Sequence, residues 1–579
     1  MHELHKQKWR LYALFAITVG CFAVLASRLV YIQIVQHDHF YAMAQEEHWR
    51  SEEIPARRGT IMDSASNPLA ISVSFDSLYA NTLQIDDPDK LAEVLAPILE
   101  VPVLELEQKL SLKQAAPVLL KEHLPAEKAD EIRKLRLWDI YLRPEYRREH
   151  PQGKLAAQLV GVVGRDGNGL SGLELKWDSD LAGKPGSLLA ERDTGGEEIA
   201  LSAAEYVAPV DGSNLVLTID RTVQMIVERE LDAAMQQHQA AAGTVLVMDP
   251  YTGAILAVAS RPSFDPEAKD LFSAETVPLY SIPAVADAFE PGSIFKIITM
   301  AAALDAGAVT PETAFMNNGS FSYAGGVVRN AVWRAPGMET MTQTLQRSSN
   351  IGAAFAATTL GPERFYSYVQ AFGIGAPTGI ELPGESPGIL RLPSSPDWHP
   401  FDLATNSFGQ GVSVTPIQMV TAVSAVANGG LLMKPYVVKE VDGPTGRRVY
   451  HPTLMAQVIR PETAAKLTQM LVSVIETVED GQVRGARVAG YHLAGKTGTA
   501  EVPTESGYAS DRTIASFIGF GPVESPRFVI MVTIREPKDT PWGETVAAPV
   551  FRNIASQLLP YFGAAPSVPE EVQAMESRR

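Results

Sequence analysis

The sequence predicts an α+β domain in its C-terminal part, because two groups of strand patterns flank a long, mainly helical stretch. Short apolar runs with strand character make up the two groups, at 215–220, 244–248, 254–259, 493–502, 513–520 and 527–534. Between the groups, uninterrupted apolar runs at 293–304 and 417–427 are long enough to be helices. We therefore predict an antiparallel sheet with a helical cluster against it, over residues 211–562.

Length and charge narrow the class of protein. The chain has 579 residues, of which 46% are hydrophobic and 20% charged, and these values are typical of globular chains with several domains. The net charge of −18 argues against nucleic acid as a partner, because affinity for a polyanion comes mainly from cationic side chains. The single cysteine, Cys21, excludes an intrachain disulfide and a cysteine-based zinc site.

The N-terminus predicts a membrane anchor. Three cations within residues 1–10 precede an uncharged run, 11–27, and the apolar pattern continues beyond Arg28 to residue 35. Residues 11–35 are long enough to cross a bilayer. The flanking cations predict that residues 1–10 stay in the cytoplasm and that the rest of the chain is exported. The alternative is a cleaved signal peptide, since small residues lie at 24–27.

Residues 36–210 carry no obvious chemical motif, and we predict an elongated α+β pedestal, or dimerisation-type domain, that acts as a spacer and docking module. An alternating stretch at 69–74 predicts a strand, and apolar residues at helical spacing predict a mainly helical stretch at 87–137. Glycines within 161–172 do not follow the strand-to-helix pattern of a nucleotide-binding loop. The last residues, 563–579, are small and charged and predict a flexible tail.

The first candidate for chemistry is the segment 289–296, Phe-Glu-Pro-Gly-Ser-Ile-Phe-Lys. Pro291-Gly292 predicts a turn and the run after it a helix, so Ser293 lies in the first helical turn and Lys296 one turn later on the same face. A serine hydroxyl becomes a nucleophile when a base takes its proton, and a lysine is such a base once burial or a nearby cation keeps it neutral. Free N–H groups at the helix start suit an oxyanion.

Two further motifs follow in order, Ser348-Ser349-Asn350 and Lys496-Thr497-Gly498. The Ser-x-x-Lys, Ser-x-Asn and Lys-Thr-Gly patterns each occur once in the chain. Each pattern is weak evidence alone, but the ordered triple is the signature of penicillin-binding proteins and class A β-lactamases. We therefore predict that the three segments form one acyl-transfer site.

The second motif and the third-motif lysine have distinct predicted roles. Ser348 can relay a proton between either lysine and the leaving group, and Asn350 can bond a substrate amide or orient Lys296. Lys496 is predicted to be a fixed cation that attracts a substrate carboxylate and helps to keep Lys296 neutral.

The rest of the third motif lies on a predicted strand. Gly495 and Gly498 are predicted to remove side chains where a substrate backbone approaches. An edge position of this strand would let an extended peptide add to the sheet. Thr497 and Thr499 offer hydroxyls, and the Thr499 N–H is a candidate second oxyanion donor. The loop 407–411, Ser-Phe-Gly-Gln-Gly, is either a loop near this cleft or a plain glycine turn.

Nearly the whole chain resembles the class B penicillin-binding proteins, the monofunctional peptidoglycan D,D-transpeptidases of the bacterial envelope. The segments that carry the resemblance are 58–63, 169–174, 181–183, 247–253, 289–293, 409–411 and 495–500. After the first of these segments the family often has Arg-Asn-Gly, where this chain has Ser64-Ala65-Ser66. The resemblance implies a transpeptidase domain of the penicillin-binding and serine β-lactamase type, preceded by the anchor and pedestal.

The resemblance also implies a reaction, in which Ser293 is the acylated nucleophile and Lys296 its base. Ser293 attacks the penultimate D-Ala carbonyl of a peptidoglycan stem pentapeptide, the terminal D-Ala leaves, and an amine of a neighbouring stem peptide resolves the acyl-enzyme. β-Lactams mimic the donor and inhibit the enzyme, and no metal or organic cofactor is implied. The remaining site residues implied are Ser348 and Asn350 of the second motif and the carboxylate- and oxyanion-binding Lys496, Thr497, Gly498 and Thr499.

Within the family, the length of the chain and the lack of an evident C-terminal module look most like the division-type enzyme. Such enzymes work with an FtsW-type glycan polymerase and other division proteins through the anchor and pedestal. The alternative is the elongation-type enzyme, which is paired with a RodA-type polymerase. A β-lactamase has no use for a large anchored spacer, and a membrane β-lactam sensor needs a larger cytoplasmic module. A catalytically silent cell-wall scaffold also remains open.

Overall fold

The computed structural model describes residues 2–40, 49–114, 116–191, 205–333, 336–476, 484–504 and 507–569. The chain forms two compact units. The smaller unit comprises Met1–Arg57, Ser74–Tyr146 and Gly183–Asp211. The larger unit comprises Arg58–Val73, Arg147–Ala182 and Gly212–Arg579. The domain limits inferred from the sequence stay predictions, and residues 570–579 of the predicted tail lie outside the described residues.

The N-terminal helix of the smaller unit, His2–Val30, continues as a π-helical turn, Tyr31–Val35. Over Lys8–Val35 the chain is long and apolar enough to cross a membrane, with a mean hydropathy of 2.1 in its most apolar window. None of that window is buried in the structure. A helix this apolar and this exposed fits the predicted anchor.

The smaller unit packs helices and strands around leucine side chains. Its helices after the N-terminal one are Pro88–Leu99, Val103–Leu110 and Ala126–Leu135. Its strands are Trp49–Ile54, Val118–Leu124, Gly186–Glu191 and Glu205–Val207, and the strands Pro68–Ala80 and Ile140–Glu149 contribute residues to both units. The most deeply buried leucines of this core are Leu78, Leu95, Leu99, Leu106, Leu110 and Leu120.

The helical interpretation of 87–137 is wrong at its centre. Residues Val118–Leu124 form a strand that pairs antiparallel with the strand Pro68–Ala80. Val118, Leu120 and Leu124 are buried and the residues between them are not, so the true period is two. The apolar Leu119 hides this alternation in the sequence, and only pairing with a neighbouring strand decides the conformation.

Five of the six strand segments predicted for this domain form an antiparallel sheet in the larger unit, whereas the segment near 215–220 forms the strand Asn214–Leu217 in a second sheet. The strands of the five-stranded sheet, in spatial order, are Ile255–Arg261, Ala242–Met248, Phe528–Arg535, Gly507–Gly521 and Ala494–Thr504. The first two form the predicted hairpin. The strand Ala494–Thr504, here called the active-site strand, carries the third motif and lies at an edge of the sheet. An edge position leaves one row of backbone groups for an added peptide.

Helices cover the sheet and form the predicted helical cluster. Helices Arg221–His238 and Gly543–Tyr561 pack against each other and on the sheet, and Pro416–Ala427 packs on it as well. The other helices of eight or more residues are Lys296–Asp305, Asn350–Leu360, Pro362–Ala371 and Pro461–Glu476. The α+β architecture with a sheet and a helical cluster is therefore confirmed.

Smaller elements complete the larger unit. The short helices are Ala157–Val160, Gly172–Lys176, Asp178–Leu181, Pro283–Ala286, Met341–Gln346 and Asp402–Asn406, and the 3₁₀ turns are Val277–Tyr280, Gly292–Phe295 and Arg484–Ala486. A second sheet contains Ile61–Met62, Asn214–Leu217, Val438–Gly443 and Gly446–Val449. Three strand pairs are Ala314–Asn317 with Gly337–Thr340, Phe321–Tyr323 with Gly326–Val328, and Leu431–Met433 with Leu454–Gln457.

A buried ion network in the larger unit joins two motifs that the sequence assigned to the pedestal. Arg58 Nε lies 2.6 Å from Glu174 Oε2, and Arg148 Nε lies 2.7 Å from Glu174 Oε1. Arg58 also pairs with Asp178, at 2.7 Å. The Glu174 side chain is completely buried, so both of its oxygens are matched by guanidinium groups. This cluster, which we call the arginine network, holds separate chain segments together. Its members are Arg58, Arg148, Glu174 and Asp178.

Candidate active site

The serine turn is held by a neighbouring loop. Ser293 lies in the 3₁₀ turn Gly292–Phe295, and the α-helix begins only at Lys296. The Gly292 N–H donates to Gly409 O at 3.1 Å, and the Gly411 N–H donates to Glu290 Oε1 at 2.8 Å. The loop 407–411 therefore borders the serine turn and lies near the predicted site.

Gly292 has a backbone conformation that favours glycine, with φ of +54°. A Cβ at this position would lie 3.0 Å from Thr499 O on the active-site strand. The turn can therefore approach the strand closely enough to bring Ser293 beside the third motif.

The N–H groups of the Lys296 amine are hydrogen-bonded to two oxygens. Its Nζ donates to Ser348 O at 2.6 Å and to Asn350 Oδ1 at 2.8 Å. Asn350 Nδ2 donates to Arg329 O at 3.1 Å, which fixes the direction of the amide. A neutral amine has two N–H donors and one lone pair, and these two oxygens accept both donors. The lone pair is left for the Ser293 hydroxyl, whose Oγ lies 3.0 Å from Nζ.

Burial favours the neutral form of this amine. Lys296 is 1% exposed. Burial lowers the pKa of Lys296 well below its usual value, the positive charge of Lys496 lowers it further, and Glu339 opposes the shift. The structure thus supplies both conditions that the sequence analysis named for a lysine base, burial and a nearby cation.

The second motif connects two helices through a strained turn. Ser348 has φ of +54°, which is uncommon for a residue other than glycine. Ser349 caps the next helix, Asn350–Leu360, by accepting from the Gly352 N–H at 3.1 Å. We call this helix the asparagine helix. The strained turn directs both the carbonyl and the hydroxyl of Ser348 towards the lysines.

The side chain of Asn330 is hydrogen-bonded to the start of the asparagine helix. This residue was not identified from the sequence. Its Oδ1 accepts from the Asn350 N–H at 2.8 Å and from the Ile351 N–H at 3.2 Å. These are two of the N–H groups that a helix start leaves without an internal partner. No local pattern marks Asn330, because its partners lie twenty residues further along the chain.

Lys496 extends the polar chain from the second motif to the active-site strand. Its Nζ donates to Ser348 Oγ at 3.0 Å, to Thr497 O at 3.1 Å and to Thr497 Oγ1 at 3.3 Å. Ser348 Oγ also lies 3.4 Å from the Nζ of Lys296. The hydroxyl of Ser348 therefore stands between the two amines, where it can pass a proton from one to the other.

The charge of Lys496 differs from the fixed cation that the sequence suggested. Lys496 is 1% exposed. Burial lowers the pKa of Lys496 to about 7, and the carboxylate of Glu544 opposes that shift. Near neutral pH the protonated and the neutral amine of Lys496 are therefore both populated, and an arriving carboxylate favours the protonated form.

The glycines of the third motif serve packing within the protein. A Cβ at Gly495 would lie 2.6 Å from Phe517 Cζ, and a Cβ at Gly498 would lie 2.3 Å from Ser516 Oγ. The Thr499 Oγ1 accepts from the Gly543 N–H at 3.2 Å. Close packing on the neighbouring strand thus accounts for both glycines, whereas the sequence analysis had linked them to substrate approach.

The described residues contain no group of three or more His, Cys, Asp or Glu side chains that could hold a metal ion. The polar groups of the site are two amines, hydroxyls, amides and backbone N–H groups. Such a set suits acyl transfer through a serine, in which a proton moves and an oxyanion forms.

Comparison with known proteins identifies families for both parts of the chain. Residues 243–556 match the model for the penicillin-binding protein transpeptidase domain, and residues 53–217 match the penicillin-binding protein dimerisation domain. The transpeptidase match contains all three motifs, Ser293 to Lys496.

Proteins similar over almost the whole chain support the same family. The chain is 36% identical over 560 residues to stage V sporulation protein D of Bacillus subtilis, covering 96% of this chain and 85% of that protein. It is 30% identical over 566 residues to the peptidoglycan D,D-transpeptidase FtsI of Escherichia coli, covering 95% and 91%. The crystal structure of penicillin-binding protein 3 from Mycobacterium tuberculosis with aztreonam has a TM-score of 0.70 and 28% identity, covering 90% and 99%.

The transpeptidase model spans more than half of the chain, the relatives are similar along nearly all of it, and the three motifs meet around one serine. This agreement between sequence, fold and site identifies the reaction as serine acyl transfer. The chain belongs to the class B penicillin-binding proteins, the peptidoglycan D,D-transpeptidases.

Proposed function

We propose that Ser293 is the nucleophile of this transpeptidase and that Lys296 is its base. The observation that carries the assignment is the fixed amine: two oxygens accept its N–H groups, and Ser293 Oγ lies 3.0 Å from the same nitrogen. In the acylation step, the Ser293 O–H bond breaks and the proton moves to Lys296 Nζ. At the same time Oγ bonds to the penultimate D-Ala carbonyl carbon of a stem pentapeptide.

The oxyanion and the leaving group are served by the other motifs. The N–H groups of Ser293 and Thr499 donate hydrogen bonds to the developing oxyanion. The C–N bond to the terminal D-Ala breaks, and the leaving nitrogen receives a proton through Ser348. Lys496 and Thr497 hold the carboxylate of the donor, and Gly498 lets the strand lie against Ser516.

Deacylation repeats these steps in reverse with a new amine. An amine of a neighbouring stem peptide attacks the acyl carbonyl, gives up a proton through Ser348 and Lys296, and releases Ser293 with a new peptide crosslink. A β-lactam opens on Ser293 in the same way and leaves a long-lived acyl-enzyme. The complex of the similar Mycobacterium tuberculosis protein with aztreonam supports β-lactam inhibition.

The cellular role that we propose is crosslinking during septal wall synthesis. The similarity to the peptidoglycan D,D-transpeptidase FtsI of Escherichia coli over almost the full length supports this role. The apolar helix Lys8–Val35 would anchor the chain in the bacterial cytoplasmic membrane, with the cationic N-terminus inside and the catalytic unit outside. An FtsW-type polymerase is the proposed partner at the anchor and pedestal, and a RodA-type partner with an elongation role is the second candidate.

Labelling of the full-length chain in detergent with a fluorescent penicillin tests the chemistry. We expect label that persists for hours, its loss in Ser293→Ala, and its retention in the control Ser556→Ala, which changes an exposed serine. Label that decays within minutes would indicate a β-lactamase. A folded protein without label would favour the scaffold interpretation.

Depletion of the protein in its own host tests the cellular role. A septal crosslinking enzyme is expected to leave cells elongating without dividing when it is lost, and a fluorescent fusion should collect at the septum. Rounded cells and a fusion along the lateral wall would support the elongation role. Normal vegetative growth would contradict both.

A further inference from the structure

A buried carboxylate lies outside the three motifs. Glu339 lies on the strand Gly337–Thr340 and is 2% exposed. Its Oε2 accepts from Asn317 Nδ2 at 2.7 Å, and its Oε1 accepts from Thr344 Oγ1 at 3.4 Å. Within the described part of the chain, no cationic group lies within ion-pair distance of it. Burying a charge is costly unless other charges or dipoles compensate it, so this carboxylate calls for an explanation.

Glu339 is linked to the second motif by hydrogen bonds through Thr344. Thr344, which donates to it, accepts from the Ser349 N–H through its carbonyl oxygen at 2.9 Å. The same threonine side chain fills the space beside Gly352, where a Cβ would lie 2.1 Å from Thr344 Oγ1. Glu339 therefore holds the residue that in turn holds the start of the asparagine helix.

Glu339 is also the carboxylate that opposes the positive environment of Lys296. The helix Lys296–Asp305 packs against the helices Asn350–Leu360 and Pro416–Ala427, and neither of these two helices has a charged side chain. Other charged groups lie elsewhere along the helix. At its C-terminal end Asp305 pairs with Arg460, and Arg364 donates to Ala306 O. The neighbouring helices Pro362–Ala371 and Pro461–Glu476 also carry Glu363, Glu462, Lys466 and Glu476. The active-site strand contributes Lys496 and Glu501, and the loops around the second motif contribute Arg329 and Arg347.

We infer that Glu339 is a positioning residue for the acyl transfer, a buried counter-charge that stabilises the positive charge formed when Lys296 accepts the Ser293 proton and that braces the Ser348–Asn350 turn. The inference rests on the proposed roles of Ser293 and Lys296. Without this negative charge, Lys496 and burial would leave Lys296 neutral but a poor proton acceptor. The carboxylate keeps the amine basic enough to take a proton from serine.

The test is the pH profile of acylation in Glu339→Gln. Glutamine has the same shape, and its amide can replace both hydrogen bonds, so the main change is the loss of charge. Because the carboxylate raises the pKa of Lys296, its removal lowers that pKa. Acylation needs the neutral amine and is lost as the pH falls through this pKa. The acid limb of E339Q is therefore expected to move to lower pH, with a reduced plateau rate.

Two further variants separate charge from structure. Glu312→Gln removes an equal charge from an exposed position and should leave the profile in place. Thr344→Val removes the hydroxyl that donates to Glu339 but keeps the charge, so its acid limb should stay while its rate falls.

An unmoved acid limb in folded E339Q would overturn the inference. If E339Q does not fold, Glu339→Asp decides: it keeps the charge, so its limb is expected at the wild-type position, and a displaced limb would overturn the inference. Both results differ from a failure of the proposed function, in which the wild-type protein itself would not be labelled at Ser293.

Discussion

Two clusters of buried charge in the larger unit are compensated in opposite ways. In the arginine network, Glu174 is completely buried and each of its oxygens meets a guanidinium group. In the active site, Lys296 and Lys496 are both 1% exposed, and neither forms an ion pair within the described residues. The first cluster satisfies its charges and fixes chain segments. The second leaves its amines hydrogen-bonded but, in the described part of the chain, without an ion-pair partner, and burial lowers the pKa of both, that of Lys496 to about 7.

The comparison teaches that burial has a different outcome according to what surrounds the charge. A buried ion whose partner is removed is strongly destabilising, whereas an unpaired amine can lose its proton and stay neutral. The paired cluster should therefore control stability and the unpaired cluster reactivity. Four variants test this division, from the largest expected effect to the smallest.

Lys296→Met should give the largest effect, and on activity alone. Removal of the base is expected to slow acylation by about 10²–10⁴-fold. Methionine fills similar space and removes a buried amine, but it leaves Ser348 O and Asn350 Oδ1 without this donor, so the melting temperature should change little. Acylation rates and thermal unfolding of the same samples measure both. A large loss of stability would show that Lys296 also holds the fold together.

Glu174→Gln should lower stability and leave activity unchanged, the reverse of the result expected for Lys296→Met. It leaves Arg58 and Arg148 buried without their shared anion, and breaking such a network costs about 3–5 kcal/mol of unfolding free energy. Acylation per folded molecule should be unchanged, because the site does not use these groups. Denaturant unfolding and titration of label measure the two effects, with Glu312→Gln as the exposed control. Unchanged stability would contradict the assignment of a structural role.

The pH dependence sharpens the difference between the two lysines. With the pKa of Lys496 at about 7, its positive charge is present below that pH and is lost as the pH rises through it. The second-order rate of acylation by a carboxylate-bearing penicillin should therefore fall on the alkaline side of neutrality. In Lys496→Arg the alkaline limb should move to higher pH or vanish, since arginine stays charged. An identical alkaline limb in the variant would exclude Lys496 as its origin.

Asn330→Ala should give the smallest effect. It removes the acceptor for two N–H groups at the start of the asparagine helix and is expected to cost about 1 kcal/mol. The Ser348–Asn350 turn would loosen, so acylation should slow several-fold. Asn330→Asp keeps the acceptor and should restore both the melting temperature and the rate. Failure of aspartate to restore them would indicate that the amide N–H groups matter instead.

Local patterns predicted the catalytic half well. The hairpin around 249–253 and the strand with the third motif follow from alternation and turn residues, and both lie where the sequence predicts them. The strand Val118–Leu124 did not follow, because the apolar Leu119 between Val118 and Leu120 hides the alternation of buried and exposed residues. The arginine network and Asn330 were missed for a different reason, since their partners are distant in sequence and no local rule connects them.

The sequence by itself determined which side chains are available for chemistry: the ordered motifs around Ser293, Ser348 and Lys496, the apolar N-terminal helix, and the strand and helix periods that bring α and β elements together. Only the tertiary structure decided the chemical state of those side chains. It buried both lysines, left one lone pair for Ser293 and buried Glu339 where its charge opposes the lowering of the Lys296 pKa. The physical reason is that periodicity is a property of chain neighbours, whereas desolvation and Coulomb interactions depend on neighbours in space.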